Sequence, residues 1–241
     1  MKLVDTHLHL DLFQDDTATA SFIEMNKIYS IAVTNTPSVF SHTLAIVAGT
    51  KYLRAALGLH PELALKRESE LTLFKSFLQE TRYIGEVGLD FTSKNPLERE
   101  VQSRVFKHIV ELCGFEGNKI LSVHSRKAEK ETLDIIGESF NGKIILHYFS
   151  GPIKELKRGL SYGCYFSINL SMTNTRKGQE IIKNIPIQHL LTESDAPFIT
   201  YTKGIVEQIS QTTANLGIIL NYPTETIQEI IYNNFQRFLS S

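Results

Sequence analysis

The chain has 241 residues, about the length of one eight-stranded α/β barrel and too long for a minimal domain. Its 42% hydrophobic and 21% charged residues exclude a disordered chain, and 14 Gly with 7 Pro exclude collagen-like and other low-complexity classes. With 25 basic against 26 acidic residues the net charge is −1, so no global basic field marks a nucleic-acid binder. Phosphate would have to be attracted locally, by a metal centre and a few loop arginines. The two cysteines, Cys113 and Cys164, form no CxxC motif and suggest a reduced, intracellular setting. The start of the chain carries no apolar leader, and no apolar run reaches the roughly 18 residues of a membrane span. A cytoplasmic protein with no membrane partner is the expectation.

The first short apolar run, Leu3 to His9, ends in His7-Leu8-His9. Residues i and i+2 of a strand project to one face, so both imidazoles can grip one ion, and Asp5 shares their face. Alone, such a pair is more often coincidence than ligand. The second run is Ser30 to Thr34, followed by Asn35; the third, Tyr52 to His60, ends in Gly58-Leu-His-Pro61. The fourth, Tyr83 to Asp90, contains Glu86 between Gly85 and Gly88. A carboxylate in an apolar strand is costly unless it is paired or metal-bound, and the glycines read as clearing space beside it. Its two oxygens allow it to bridge two ions. Runs five and six, Lys119 to Ser125 and Lys143 to Phe149, carry His124 and His147 near their ends. Each alone is an ordinary core histidine; together with His7, His9 and Glu86, that reading needs several independent coincidences. Run seven is Cys164 to Leu170, with Ser167. Run eight, His189 to Asp195, is stopped by Pro197, which should leave Asp195 exposed. His42, His108 and His189 fall on helical segments or the far strand end and receive no function.

Helical periodicity separates the runs, as in Phe22, Ile23, Met25 and Ile28 or Val101, Val105, Ile109 and Leu112. Thr226 to Leu239 reads as a closing amphipathic helix, with Thr226 and Glu229 as a capping box behind Pro223. No linker or charge block divides the chain, so residues 1–241 form one α/β domain, a (β/α)8 TIM barrel. An open doubly wound sheet shares the alternation but lacks its Gly-rich fingerprint after the first strand. A barrel also gathers the polar strand ends around one mouth, where an open sheet would spread them along a line. His7, His9, Glu86, His124, His147 and Asp195 then suit two divalent cations sharing a bridge, with Zn, Mn and Mg all admissible. His60 and Arg126 have no metal partner and suit a substrate phosphate or carboxylate at the mouth.

Six ordered segments carry a resemblance. Asp5-Thr-His-Leu-His-Leu-Asp11, Gly58-Leu-His-Pro61, Gly85-Glu-Val-Gly-Leu-Asp-Phe91, Val123-His-Ser-Arg126, Leu146-His-Tyr-Phe-Ser-Gly151 and Leu191-Thr-Glu-Ser-Asp-Ala-Pro197 resemble the signatures of TatD-family metal-dependent deoxyribonucleases. The resemblance implies an amidohydrolase-like barrel with two metals. One would be held by His7, His9, Glu86 and Asp195, the other by Glu86, His124 and His147, with His60 and Arg126 on the substrate phosphate. It implies hydrolysis of DNA, with single strands or frayed ends favoured at a barrel mouth, and Glu86 and Asp195 as the catalytic pair. An amide or ester hydrolase on the same barrel is the alternative. Lys127 stands where the family usually has an acid, no arginine occurs in Thr92-Ser-Lys94, and Phe198 to Gly204 is short. Short members of this kind resemble the TatD-like subunit of Qat-type antiphage systems, which implies protein partners in a defence complex.

Overall fold

The computed structural model describes residues 2–199 and 204–240. Eight strands follow the eight expected runs: β1 Val4–Leu8, β2 Tyr29–Val33, β3 Leu53–Ala56, β4 Tyr83–Gly88, β5 Lys119–His124, β6 Gly142–His147, β7 Tyr165–Ile168 and β8 Leu190–Thr192. All are parallel, paired in chain order within two arcs, β1 to β3 and β4 to β8. Hydrogen bonds close both seams. Between β3 and β4, Leu57 N–H donates to Tyr83 O (3.0 Å) and Gly85 N–H to Leu57 O (2.8 Å). Between β8 and β1, Asp195 N–H donates to His7 O (2.9 Å), and the Thr192 hydroxyl donates to Val4 O (2.6 Å). The result is the expected (β/α)8 barrel.

Its strands face side chains on both sides, which is why they read as continuous apolar runs rather than alternating ones. Ile31, Ala32 and Val33 on β2 and Ile145 and Leu146 on β6 are fully or almost fully buried. The helices between strands are set by local chemistry. Helix α1 (Asp16–Met25) is capped by Asp15, which accepts from Ala18 N–H at 2.8 Å. The long Pro96–Glu116 helix has Asn95 as its cap and proline at its first position, and ends at Gly117 with φ 65°. The closing helix, Thr224–Ser240, starts two residues before the expected capping box. Pro223 O accepts from Ile227 N–H at 3.1 Å, so Thr226 lies within the first turn and does not set the boundary. Asn234 then ties this helix to the foot of β8 through Ile187 O (2.7 Å) and Leu190 O (2.9 Å). Among the described residues no helix is long and apolar enough to cross a membrane.

The glycines of β4 do a different job from the one expected. A Cβ on Gly85 would lie 2.9 Å from Ser122 Cβ, and one on Gly88 only 2.0 Å from His124 O. They admit the neighbouring strand β5 rather than clearing space for the carboxylate. At Gly88 the φ of 138° adds a backbone penalty for any side chain. Gly88→Ala is therefore expected to destabilise the fold by about 3 kcal/mol or more, read as a lowered urea midpoint. A shift below about 0.5 kcal/mol would show that β4 and β5 are not so closely apposed.

Candidate metal centre

The C-terminal ends of the strands converge on a cavity of about 970 Å³. At the end of β1, His7 donates or accepts through Nδ1 with Ser122 Oγ (2.8 Å), which turns Nε2 inward. His9, two residues on, brings its own Nε2 to 3.3 Å from that atom, as the strand spacing requires. Glu86 Oε2 lies 3.5 Å from His7 Nε2 and 3.3 Å from His9 Nε2. Asp195 Oδ1 completes the group at 3.9 and 3.6 Å from the same two nitrogens. Donors bound at about 2.0–2.2 Å around a tetrahedral ion stand roughly 3.3–3.6 Å apart, so this set matches one cation closely.

The other oxygen of Glu86 faces a second set. Oε1 is 2.6 Å from His124 Nδ1, 2.9 Å from His147 Nε2 and 3.4 Å from His60 Nε2. Among the described residues, every ion pair of Glu86 is with histidine and none is with lysine or arginine. A wholly enclosed carboxylate surrounded by titratable imidazoles can exchange their protons for a cation, which a fixed guanidinium partner would not allow. The donor chemistry suits a cation at either oxygen, but only the Oε2 set already has ligand spacing. At Oε1 the 2.6 and 2.9 Å separations are hydrogen bonds that must widen around an ion. Among the described residues, ligand atoms of His7, His9 and Asp195, those of His60, Glu86 and His124, and those of His7, His147 and Glu193 form groups no wider than 4.8 Å.

The charges follow from burial and these contacts. Burial alone would raise the Glu86 carboxyl, but the charges of His60 and His147 and hydrogen bonds from His124 and His147 carry it well below the usual range. His124 is opposed by burial yet lifted to about 9 by Asp90 and Glu86. His147 is likewise opposed by burial and raised by Glu86 and Glu193. His7 moves down, through burial and the charge of His147, and keeps its lone pair. Asp195 is held low despite burial, through His9 and the charges of His147 and His7.

Asp195 is not exposed as the sequence suggested: only 7% of it is accessible. Strand β8 stops at Thr192, well before Pro197, and β1 pulls the following segment inward. Asp5 accepts from Ser194 N–H (2.8 Å) and from the Ser194 hydroxyl (2.6 Å). Asp5 therefore faces β8 rather than the cation-sized group, and burial pushes its carboxyl up to about 7. His60 Nδ1 accepts from Glu62 N–H (3.2 Å), so in the neutral ring the proton sits on Nε2, 3.4 Å from Glu86 Oε1. Arg126 is exposed on the same cavity. His42 pairs with Asp16 at 2.7 Å on the outer helices, His108 is exposed, and His189 bonds Cys164 O at the far end.

Two carboxylates escaped the sequence reading. Asp90 Oδ2 is 2.9 Å from His124 Nε2, and Oδ1 is fixed by the backbone N–H of Thr92 (2.9 Å) and its hydroxyl. Glu193, fully buried, accepts from Ser167 Oγ and from Asn169 Nδ2 (2.9 Å) and lies 3.6 Å from His147 Nδ1. Each stands behind a histidine of the second set. A clue existed for Asp90: its even spacing from Glu86 puts both on one side of an extended chain. Asp90→Ala is expected to weaken cation binding by about 10–100-fold, because His124 loses the partner that fixes its ring. Titration against a chelating dye measures it, and an unchanged affinity would make Asp90 a purely structural residue.

A closed barrel with imidazoles and carboxylates gathered at its C-terminal mouth is the arrangement of a metal-dependent hydrolase. The sequence pattern of the TatD related DNases matches residues 4–240, and the chain belongs to that family. It is 29% identical over 234 residues to the uncharacterized metal-dependent hydrolase YabD of Bacillus subtilis, covering 87% of this chain and 90% of that one. To the human deoxyribonuclease TATDN3 it is 25% identical over 252 residues, covering 95% and 90%. The fold is that of the TatD homologue YJJV of Escherichia coli, with a TM-score of 0.85, 22% identity and coverage of 99% and 98%.

Proposed function

We propose that the chain is a divalent-cation-dependent phosphodiesterase acting in the cytoplasm on DNA, with single strands and frayed ends taken first. The observation carrying this reading is the division of Glu86: Oε2 lies within 3.5 Å of His7 and His9, while Oε1 lies within 3.4 Å of His60, His124 and His147. His7, His9, Glu86 and Asp195 would hold one ion, and Glu86, His124 and His147 the other, with Zn, Mn or Mg as candidates. When bound, such a pair supplies a hydroxide near neutral pH and polarises phosphoryl oxygens. Asp195, ionised by its histidine neighbours, would accept the proton of the attacking water. His60, through Nε2–H, and Arg126 would donate to the phosphate as its charge grows. Glu86 is only 2% accessible, so a phosphodiester must descend to it, which a strand end can do and a duplex interior cannot without opening.

The test is purified protein with Mn or Mg on labelled single- and double-stranded oligonucleotides, beside elemental analysis and a panel of amides and esters. Cleavage of DNA with bound cation supports the reading; turnover of amides or esters alone transfers the chain to the alternative hydrolase class. The short segment after Pro197 favours a second reading, a low-activity subunit of a multiprotein antiphage complex. Residues 200–203 of that segment lie outside the described residues. Activity appearing only with a co-purified protein partner would select it.

A further inference from the structure

Two exposed aromatic rings adjoin the centre and are not used by the chemistry above. Tyr148 directly follows His147, lines the cavity and is 38% exposed. Its φ is 42°, a left-handed backbone that a bulky side chain rarely adopts and that persists where surrounding structure enforces it. Phe198 lines the same cavity and is 63% exposed, the most accessible aromatic at the mouth among the described residues. It is nevertheless anchored: its ring meets His9 edge-on, with centroids 4.8 Å apart and planes at 88°. Leu12, 43% exposed, also lines the cavity, whereas Phe115, Ile218 and Met25 lie on outer helices. The mouth therefore concentrates costly exposed aromatic surface beside a group built for phosphate.

We infer that Tyr148 and Phe198 form a base-stacking subsite, on which the nucleobases next to the scissile phosphate of a single strand are held. The inference rests on the phosphodiesterase reading for its ligand class. Each base has a π-face that a flat ring can cover whatever the sequence, so the subsite selects unpaired strands without selecting a sequence. It also supplies what a net charge of −1 does not, an attraction for nucleic acid that is not electrostatic. A duplex offers such rings no free base face except at its ends.

The experiment has two arms, both with the cation-loaded protein. In the first, oligonucleotides with one abasic site placed at successive positions are cleaved alongside the intact strand. Removing a base adjacent to the cleaved bond is expected to lower kcat/KM roughly tenfold. Phe198→Leu and Tyr148→Leu should lower kcat/KM on the intact strand and shrink that abasic penalty; Phe198→Trp and Tyr148→Phe should preserve it. Leucine keeps an apolar contact with His9, so loss in Phe198→Leu reads the planar ring and not a collapsed site. In the second arm, quenching of 2-aminopurine in a phosphorothioate strand reports stacking without turnover. Quenching that vanishes in the leucine variants supports the subsite even if no DNA is cleaved, in which case the phosphodiesterase reading alone fails. Cleavage with no abasic penalty and no quenching, or a penalty untouched by the leucine variants, overturns the subsite.

Discussion

Under the proposed two-cation phosphodiesterase function, Glu86→Ala is expected to lower DNA hydrolysis by at least ~10³-fold and to reduce bound cation from two equivalents to one or none. No other described residue stands within 3.5 Å of histidines from both sets through different oxygens. Its removal takes one donor from each group at once, so the loss exceeds the 10–100-fold typical of a residue behind the ligands. Glu86→Gln is the sharper variant. The amide keeps the shape but offers one oxygen, so one face keeps an acceptor while the other receives an N–H donor. One equivalent of cation is then expected, with activity still lost. Elemental analysis beside single-turnover cleavage reads both quantities. Wild-type rates in Glu86→Ala, or two equivalents retained in Glu86→Gln, would remove the bridge from the account.

The sequence displayed the histidines because each closes an apolar run. A strand enclosed on both faces tolerates a polar group only near its end, so His7, His9, His124 and His147 stand out against Leu, Ile and Val. The barrel was legible for the same reason: eight such runs with intervening helical periodicity admit few topologies. Partners were not legible. Asp90 and Glu193 sit in quoted motifs, but a carboxylate at a strand end looks the same whether it meets water or a histidine from the next strand. Asp195 reads as exposed because Pro197 suggests an emerging chain; the bond from Asp5 to Ser194 that pulls it inward joins residues 189 positions apart. Gly88 shows the same limit, since its constraint is a carbonyl of β5 that only the assembled barrel brings to it. What the sequence conveys is which residues are costly at their positions; what offsets the cost is settled across strands.

Removing cations should cost the protein stability, and more so as the pH rises. In the cation-free protein His124 and His147 balance Glu86 with protons. The pKa of His124 stands at about 9, above its ordinary value near 6.5. That protonation contributes stability fully below about 6.5 and loses it as the pH climbs through 9. Glu86 is shifted the opposite way, so its contribution is present above its ordinary range and fades only in acid. Ligation needs unprotonated imidazole, hence cation binding must release protons and tighten with pH. A cation at about 1,000 times its Kd adds about 4 kcal/mol, which for a chain of this size raises Tm by roughly 8–16 °C. With chelator, Tm should fall between pH 7 and 9; with saturating Mn or Zn the gap should widen over the same interval. Calorimetry in buffers of different ionisation enthalpy counts the protons released. A Tm indifferent to chelator at pH 8, or binding with no proton release at pH 7, would mean that these imidazoles serve the fold and not a cation.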